Sequence, residues 1–205
     1  MPALAAWVAK EGLAGLEFAA GIPATVGGSV RMNAGAHGGE VAERLVSADV
    51  VLPVSGRTVS LGPSDLGFGY RRSSLPPRAV VVAACWALTA EDPATIRARL
   101  DELRAWRRRT QPLRERNCGS VFTNPPGDSA GRLVEAAGLK GFRVGGARVS
   151  DKHANFVVVD RSGERGPAAT AADVRVLIGH VRAIVAAVSG IVLEPEVRLV
   201  GSFGD

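Results

Sequence analysis

Between Gly12 and Gly39 the chain reads GLAGLEFAAGIPATVGGSVRMNAGAHGG, and a segment so rich in glycine supports no long regular element. Glycine lacks a Cβ, so it favours tight turns and close approaches, and it weakens helix and strand interiors by roughly 0.5–1 kcal/mol relative to alanine. The segment is therefore restricted to short strands, helical turns and loops. Two readings of it stand side by side. The backbone amides around Gly27-Gly28-Ser29 and Asn33-Ala34-Gly35 can form a concave nest for a pyrophosphate, or the segment is a set of close-packed turns. The chain has no G-x-x-x-x-G-K-[ST] and no G-x-G-x-x-G after a strand, which argues against a P-loop nucleotidase and a Rossmann dehydrogenase.

The rest of the composition is that of an ordinary folded chain. Hydrophobic residues make up 46% and charged residues 22% of 205 positions, which argues against disorder and allows one large domain or two small ones. The net charge is +5, and the lysines are only Lys10, Lys140 and Lys152, so the excess is carried by arginine and suggests an anionic partner. Cys85 and Cys118 with three histidines make no disulfide framework and predict no metal site. No apolar run reaches the roughly 18 residues of a membrane span, and no basic leader or cleavage site opens the chain, so a cytoplasmic protein is expected. Leu4, Trp7, Val8 and Glu11 read as the middle of an amphipathic helix without a cap, which predicts a start partway through a domain.

Beyond the glycine segment, a hairpin is expected from Ala48–Val54 and Thr58–Leu61 around Ser55-Gly56-Arg57. The run Ala79–Leu88 predicts a strand buried on both faces. Asp92 and Pro93 open a helix carrying Ile96, Leu100, Leu103 and Trp106 to about Arg109. Thr110-Gln111-Pro112 breaks it, placing a domain boundary between residues 1–109 and 110–205. A short helix from Ala130 to Ala137, a buried strand in ANFVVVD, a helix from Thr170 to Ser189 and a final strand in IVLEPEVRLVG complete the chain.

Local chemistry alone leaves the site open. Ser120 follows a glycine at the mouth of a strand and suits a proton donor or nucleophile, or is a turn serine. Cys118 with His153 would make a thiol nucleophile and base, but no third orienting group is evident. Arg71 has a fork able to grip a carboxylate in two parallel hydrogen bonds, or is a solvated loop cation beside Arg72. Glu194, Glu196 and Arg198 would share one face of the final strand. The arginines at 104, 107, 108, 109, 114 and 116 lack interleaved aromatics, so no nucleic-acid partner is predicted.

In order along the chain, GLEFAAGIPATVGGSVRMNAGAHGGE, FGYRRS, NCGSVFTNP, AGRLVEAAGLKGFRVGGARVSDKHANFVV and LEPEVR closely resemble the UDP-N-acetylenolpyruvoylglucosamine reductase (UDP-N-acetylmuramate dehydrogenase) family, from about Gly12 to Arg198. The resemblance implies an α+β chain. Part of an FAD-binding domain of the vanillyl-alcohol-oxidase-like type would be followed by a substrate domain whose last strand returns toward the first. It implies FAD as cofactor, NADPH as hydride donor and UDP-N-acetylglucosamine enolpyruvate as substrate, in peptidoglycan precursor synthesis.

By position, the resemblance makes Arg71, Ser120 and Glu196 catalytic, and Ile22, Pro23, Gly27, Gly28, Asn33 and Gly35 flavin-contacting. Tyr70, Asn124, His153 and Asn155 become substrate contacts, and the arginine cluster contributes a pyrophosphate contact. The short link after Arg71 matches the compact members, which lack an inserted tyrosine-bearing loop. Family members carry an amino-terminal lobe with a Gly-Gly-Gly-Ser-Asn turn that grips the flavin diphosphate, and this chain shows no counterpart. A redox-inactive module that holds a UDP-sugar or a partner chain is therefore the alternative expectation, and a hydrolase using Ser120 or Cys118 is a third.

Overall fold

In the glycine-rich first part of the chain helix, strand and turn alternate in short pieces, and the two long helices lie beyond it. The computed structural model describes residues 1–161 and 168–203. The backbone divides into two units, Met1–Arg107 and Arg108–Asp205.

In the first unit, α1 (Pro2–Lys10) leads through β1 (Leu13–Ala14) into a 3-10 turn at Glu17–Gly21, then α2 (Val26–Arg31). Thr25 caps α2, accepting from Gly28 N at 3.0 Å, so the glycine segment does yield a helix, but one of six residues. A minimal hairpin, β2 (Gly35–Ala36) and β3 (Gly39–Glu40), follows. Next come β4 (Leu45–Val51), β5 (Thr58–Leu61), the one-turn α3 (Pro63–Leu66), β6 (Val80–Trp86) and β7 (Thr89–Ala90). The main sheet runs β5-β4-β6, antiparallel throughout, and β7 pairs with β1. Leu16, Val30, Val41, Val50 and Leu66 form its buried core.

The expectation for Ala79–Leu88 is corrected here. β6 pairs only with β4 and lies at the sheet edge, with Val80 56% and Val82 58% exposed. An unbroken apolar run looks the same whether its second face is covered or bare, and this one is bare.

α4 (Pro93–Thr110) closes the first unit and continues into the second, where β8 (Arg116–Ser120), α5 (Ala130–Ala136), β9 (Arg143–Val144), β10 (Ala147–Val149), β11 (Phe156–Val159) and α6 (Ala171–Ser189) follow. The sheet order is β8-β11-β10-β9. Leu177, Ile178, Val181 and Val185 of α6, with Val121, Val134, Val149 and Leu193, make the core. The ends of α6 match their sequence signals: Thr170 and Asp173 form a capping box, and Gly190 takes φ 71°.

The expected final strand does not form. Residues 191–200 carry a single bridge, Phe122 to Pro195. Proline has no N–H for a ladder, and the amides of Glu196 and Val197 both turn to Val121 O, at 2.8 and 3.5 Å. The β-alternation expected of Glu194, Glu196 and Arg198 therefore has no strand to support it.

Candidate active site

The first unit ties its candidate residues into one knot. Gly69 and Arg72 exchange backbone hydrogen bonds of 3.1 Å, which puts Tyr70 and Arg71 at the tip of a two-residue turn. Arg71 takes φ 56°, a left-handed conformation that few non-glycine residues adopt and that concentrates at functional positions. Its Nη2 donates to Gly35 O at 2.7 Å, and its guanidinium carbon lies 4.9 Å from the Tyr70 ring centre. Asn33 is fully buried, donating from Nδ2 to Gly69 O at 3.1 Å and accepting from Ala42 N at 2.9 Å. Ser73 Oγ donates to Arg31 O at 2.6 Å, and the Arg31 guanidinium donates to the carbonyls of Pro76 and Ala79. The Tyr70-Arg71 loop is thus anchored at both ends to the glycine segment.

Of the six amides that a nest in that segment would use, four are already engaged within the segment itself. Gly28 N goes to Thr25 Oγ1 at 3.0 Å, Ser29 N to Thr25 O at 3.0 Å, Asn33 N to Val30 O at 3.2 Å and Ala34 N to Ser29 O at 2.9 Å. The close-packed-turn reading holds at those four positions. Gly35 is required by packing, since a Cβ there would meet Glu40 Cβ and Gly39 O at 2.8 Å. What the segment offers an anionic cofactor lies elsewhere. Pro23 and Gly28 are exposed, and Gly21 is pressed against Arg107: a Cβ on Gly21 would lie 2.3 Å from Arg107 Cδ and 2.4 Å from Nε. A half-buried glycine with a guanidinium against it, two residues before the exposed Pro23, is chemistry that suits a dinucleotide such as FAD.

The second unit gathers the remaining candidates. β8 ends at Ser120, which is exposed and paired with Phe156. Gly119 takes φ 83°, a conformation that suits glycine and turns the strand at the serine. Glu196 N donates to Val121 O at 2.8 Å, and Thr123 N to Glu194 O at 3.0 Å. The segment carrying Glu196 therefore lies directly alongside the end of β8, bringing Ser120 and Glu196 to neighbouring positions. On its other side the same stretch is held by Asn155, which is 4% exposed. The Asn155 amide accepts from Phe122 N at 2.9 Å and donates to Phe122 O at 2.8 Å.

Asn155 N donates to His153 Nδ1 at 3.2 Å, which assigns the ring proton to Nε2 in the neutral imidazole. Burial first, and the Lys140 charge second, hold His153 below its ordinary pKa. Asn124 Oδ1 accepts from Ala130 N at 3.0 Å, at the start of α5. The Cys118 thiol is pushed up by desolvation, opposite to what a thiolate nucleophile needs.

This second unit is matched over residues 111–200 by the family described as UDP-N-acetylenolpyruvoylglucosamine reductase, C-terminal domain, and residues 1–62 are matched by the FAD binding domain family. The crystal structure of UDP-N-acetylenolpyruvylglucosamine reductase from Thermus caldophilus superposes with a TM-score of 0.82 and 40% identity, over 95% of this chain and 67% of that one. The chain belongs to the UDP-N-acetylenolpyruvoylglucosamine reductase family. Its fold is that of the family: α+β, with a partial FAD-binding domain followed by the reductase C-terminal domain. Reductases bearing the family's name from Synechococcus sp. (strain RCC307) and Rubrobacter xylanophilus are 47% and 50% identical to 100% and 98% of this chain. The chain spans 66% and 65% of their lengths, about two thirds.

Sequence reasoning missed the grip of Asn155 on Phe122, because no local pattern shows which backbone a side-chain amide will meet. It also left the arginine run undivided. The structure separates it, with Arg104 on Asp101 and Arg107 against Gly21.

Proposed function

We propose that the protein containing this chain reduces the enolpyruvyl group of UDP-N-acetylglucosamine enolpyruvate to give UDP-N-acetylmuramate, using FAD and NADPH, in cytoplasmic peptidoglycan precursor synthesis. Family membership supports the reaction class. The observation that supports the assignment of roles is the Glu196 N to Val121 O bond, 2.8 Å, which brings the Glu196 backbone alongside the strand end that carries the exposed Ser120. Among the described residues no helix is long and apolar enough to cross a membrane.

When bound, FAD supplies the hydride to the substrate double bond. Ile22, Pro23, Gly27, Gly28, Asn33 and Gly35 form the flavin-contacting segment in this reading, with Asn33 acting through the turn it braces. Arg71, fixed by Gly35 O, balances the negative charge that spreads into the substrate carboxylate. Ser120 delivers a proton to the carbon next to that carboxylate. A serine hydroxyl is a weak acid in water, but a strongly basic enolate can take its proton when the two are held in contact. Glu196 hydrogen-bonds the enol oxygens. Tyr70, Asn124 and His153 Nε2 line the substrate, and Asn155 keeps the end of β8 in place.

The test is turnover by the chain saturated with FAD. NADPH consumption that depends on UDP-N-acetylglucosamine enolpyruvate is expected. A flavin-loaded protein that consumes no NADPH with this substrate overturns the reading. A colourless protein that still binds UDP-N-acetylglucosamine replaces it with a UDP-sugar-binding module.

A further inference from the structure

β8 and β11 do not match residue for residue. Ser120 pairs with Phe156 and Asn117 with Val158, so two residues of β8, Cys118 and Gly119, stand opposite Val157 alone. That is a β-bulge, a device that re-aims side chains beside it. Phe156 and Val158 lie two apart and share a face of the sheet, and their cross-strand partners share it with them. Asn117 and Ser120 are therefore on one face, although residues three apart in a regular strand lie on opposite faces. Val157, on the other face, belongs to the core that holds Leu177 and Val181 of α6. If Asn117 stayed opposite Val158 and the bulge were absent, Ser120 would fall opposite Asn155 and turn toward that core. In the bulged strand the serine is exposed.

Asn117 holds the bulge. Gly119 takes φ 83°, and its N–H donates to Asn117 Oδ1 at 2.9 Å. Asn117 Nδ2 donates in turn to Pro112 O at 3.1 Å and to Glu115 O at 2.8 Å. One side chain thus joins the bulged glycine to the connector that precedes β8. The connector is itself anchored: Glu115 N donates to Pro112 O at 3.0 Å, and the buried Arg148 of β10 bonds the Glu115 carboxylate.

We propose that Asn117 is a positioning residue for Ser120: through the Gly119 amide it fixes the bulge that aims the serine hydroxyl away from the α6 core. The inference rests on the proposed reaction for the role of Ser120 as proton donor, and on the strand register for the rest.

The experiment compares Asn117→Ala, Asn117→Ser, Gly119→Ala and Gly119→Asn in the full chain, after far-UV circular dichroism and a thermal melt have shown each variant folded. Amide exchange of Gly119, followed by NMR, reads the hold directly. Loss of one hydrogen bond predicts exchange at least about fivefold faster in Asn117→Ala. Asn117→Ser, whose hydroxyl closes the same turn more weakly, should fall between. In the flavin-loaded chain, NADPH should bleach the flavin at the wild-type rate in every variant. Reoxidation by UDP-N-acetylglucosamine enolpyruvate should slow by about tenfold to 100-fold in Asn117→Ala, in kcat more than in KM, as a misplaced acid requires. A Cβ on Gly119 meets nothing within 4 Å, so Gly119→Ala tests the backbone conformation alone. It should slow the same step, and Gly119→Asn, which tolerates a left-handed backbone better, should recover part of the rate.

The deciding comparison is made in a Ser120→Ala background, where Asn117→Ala should cost less than about twofold because the group it positions is gone. The full Asn117→Ala cost in that background, wild-type exchange of Gly119 in Asn117→Ala, or wild-type turnover in Gly119→Ala overturns the inference. Wild-type chain without turnover, flavin-loaded or colourless, overturns the reaction reading and the proton-donor role with it. The exchange rates then decide by themselves whether Asn117 holds the bulge.

Discussion

Asn155 satisfies both backbone polar groups of Phe122, accepting from its N–H at 2.9 Å and donating to its carbonyl at 2.8 Å. The side chain thus behaves as a strand partner at the point where β8 ends, one residue beyond Val121, whose carbonyl receives Glu196 N. Removing it strands two buried backbone groups, each costing about 1–3 kcal/mol. Asn155→Leu should therefore lower unfolding stability by about 2–5 kcal/mol in urea titrations. An unchanged midpoint would show that the clamp carries no load.

Ser120→Ala removes the proposed proton donor without touching a core contact, since the residue is exposed. In the flavin-loaded protein, NADPH should still bleach the flavin, while turnover of UDP-N-acetylglucosamine enolpyruvate falls by about 100-fold or more, the usual contribution of a positioned acid. Stopped-flow and steady-state rates separate the two steps. Undiminished turnover would remove Ser120 from the chemistry.

Gly35→Ala tests the seat of Arg71. The new methyl would fall 2.8 Å from Gly39 O and 3.2 Å from Arg71 Nη1, so the hairpin or the guanidinium must move. Overpacking of this kind costs about 1–3 kcal/mol. A lower melting temperature is expected, with loss of the Arg71 to Gly35 O bond in a crystal structure of the variant.

His153 is held below its ordinary pKa of 6.5, by desolvation first and by Lys140 second. The unfolded chain then binds a proton at this site at a pH where the folded chain does not, so stability is full above about 6.5 and declines as pH falls toward the folded pKa. An NMR titration should place the His153 midpoint below that of a free histidine, and His153→Gln should flatten the stability profile in this window. A midpoint at or above the ordinary value contradicts the assignment.

Asp128 is drawn down to about 2 by its Arg132 hydrogen bond, then by the Ser129 amide. Its contribution is present above the ordinary carboxylate value and is lost as pH falls through about 2. Arg132→Met should raise the measured Asp128 midpoint. A midpoint that stays put would show the Ser129 amide to be sufficient.

The amino-acid order by itself determined the elements whose ends are chemical. Thr170 with Asp173 and Gly190 mark α6, Pro93 marks α4, Gly138 follows α5, and the expected Thr58–Leu61 strand is β5. Five ordered motifs also carried the family. Caps, turns and motifs are local, so their physics is complete within a few residues. Tertiary structure decided what depends on neighbours far along the chain: that β6 stands bare at an edge, that Pro195 stops the last segment from becoming a strand, and that Asn155 holds Phe122 from 33 residues away. It also set Arg107 against Gly21, because which side chain a glycine admits is a property of surroundings, and one arginine in a run of arginines reads the same as the next.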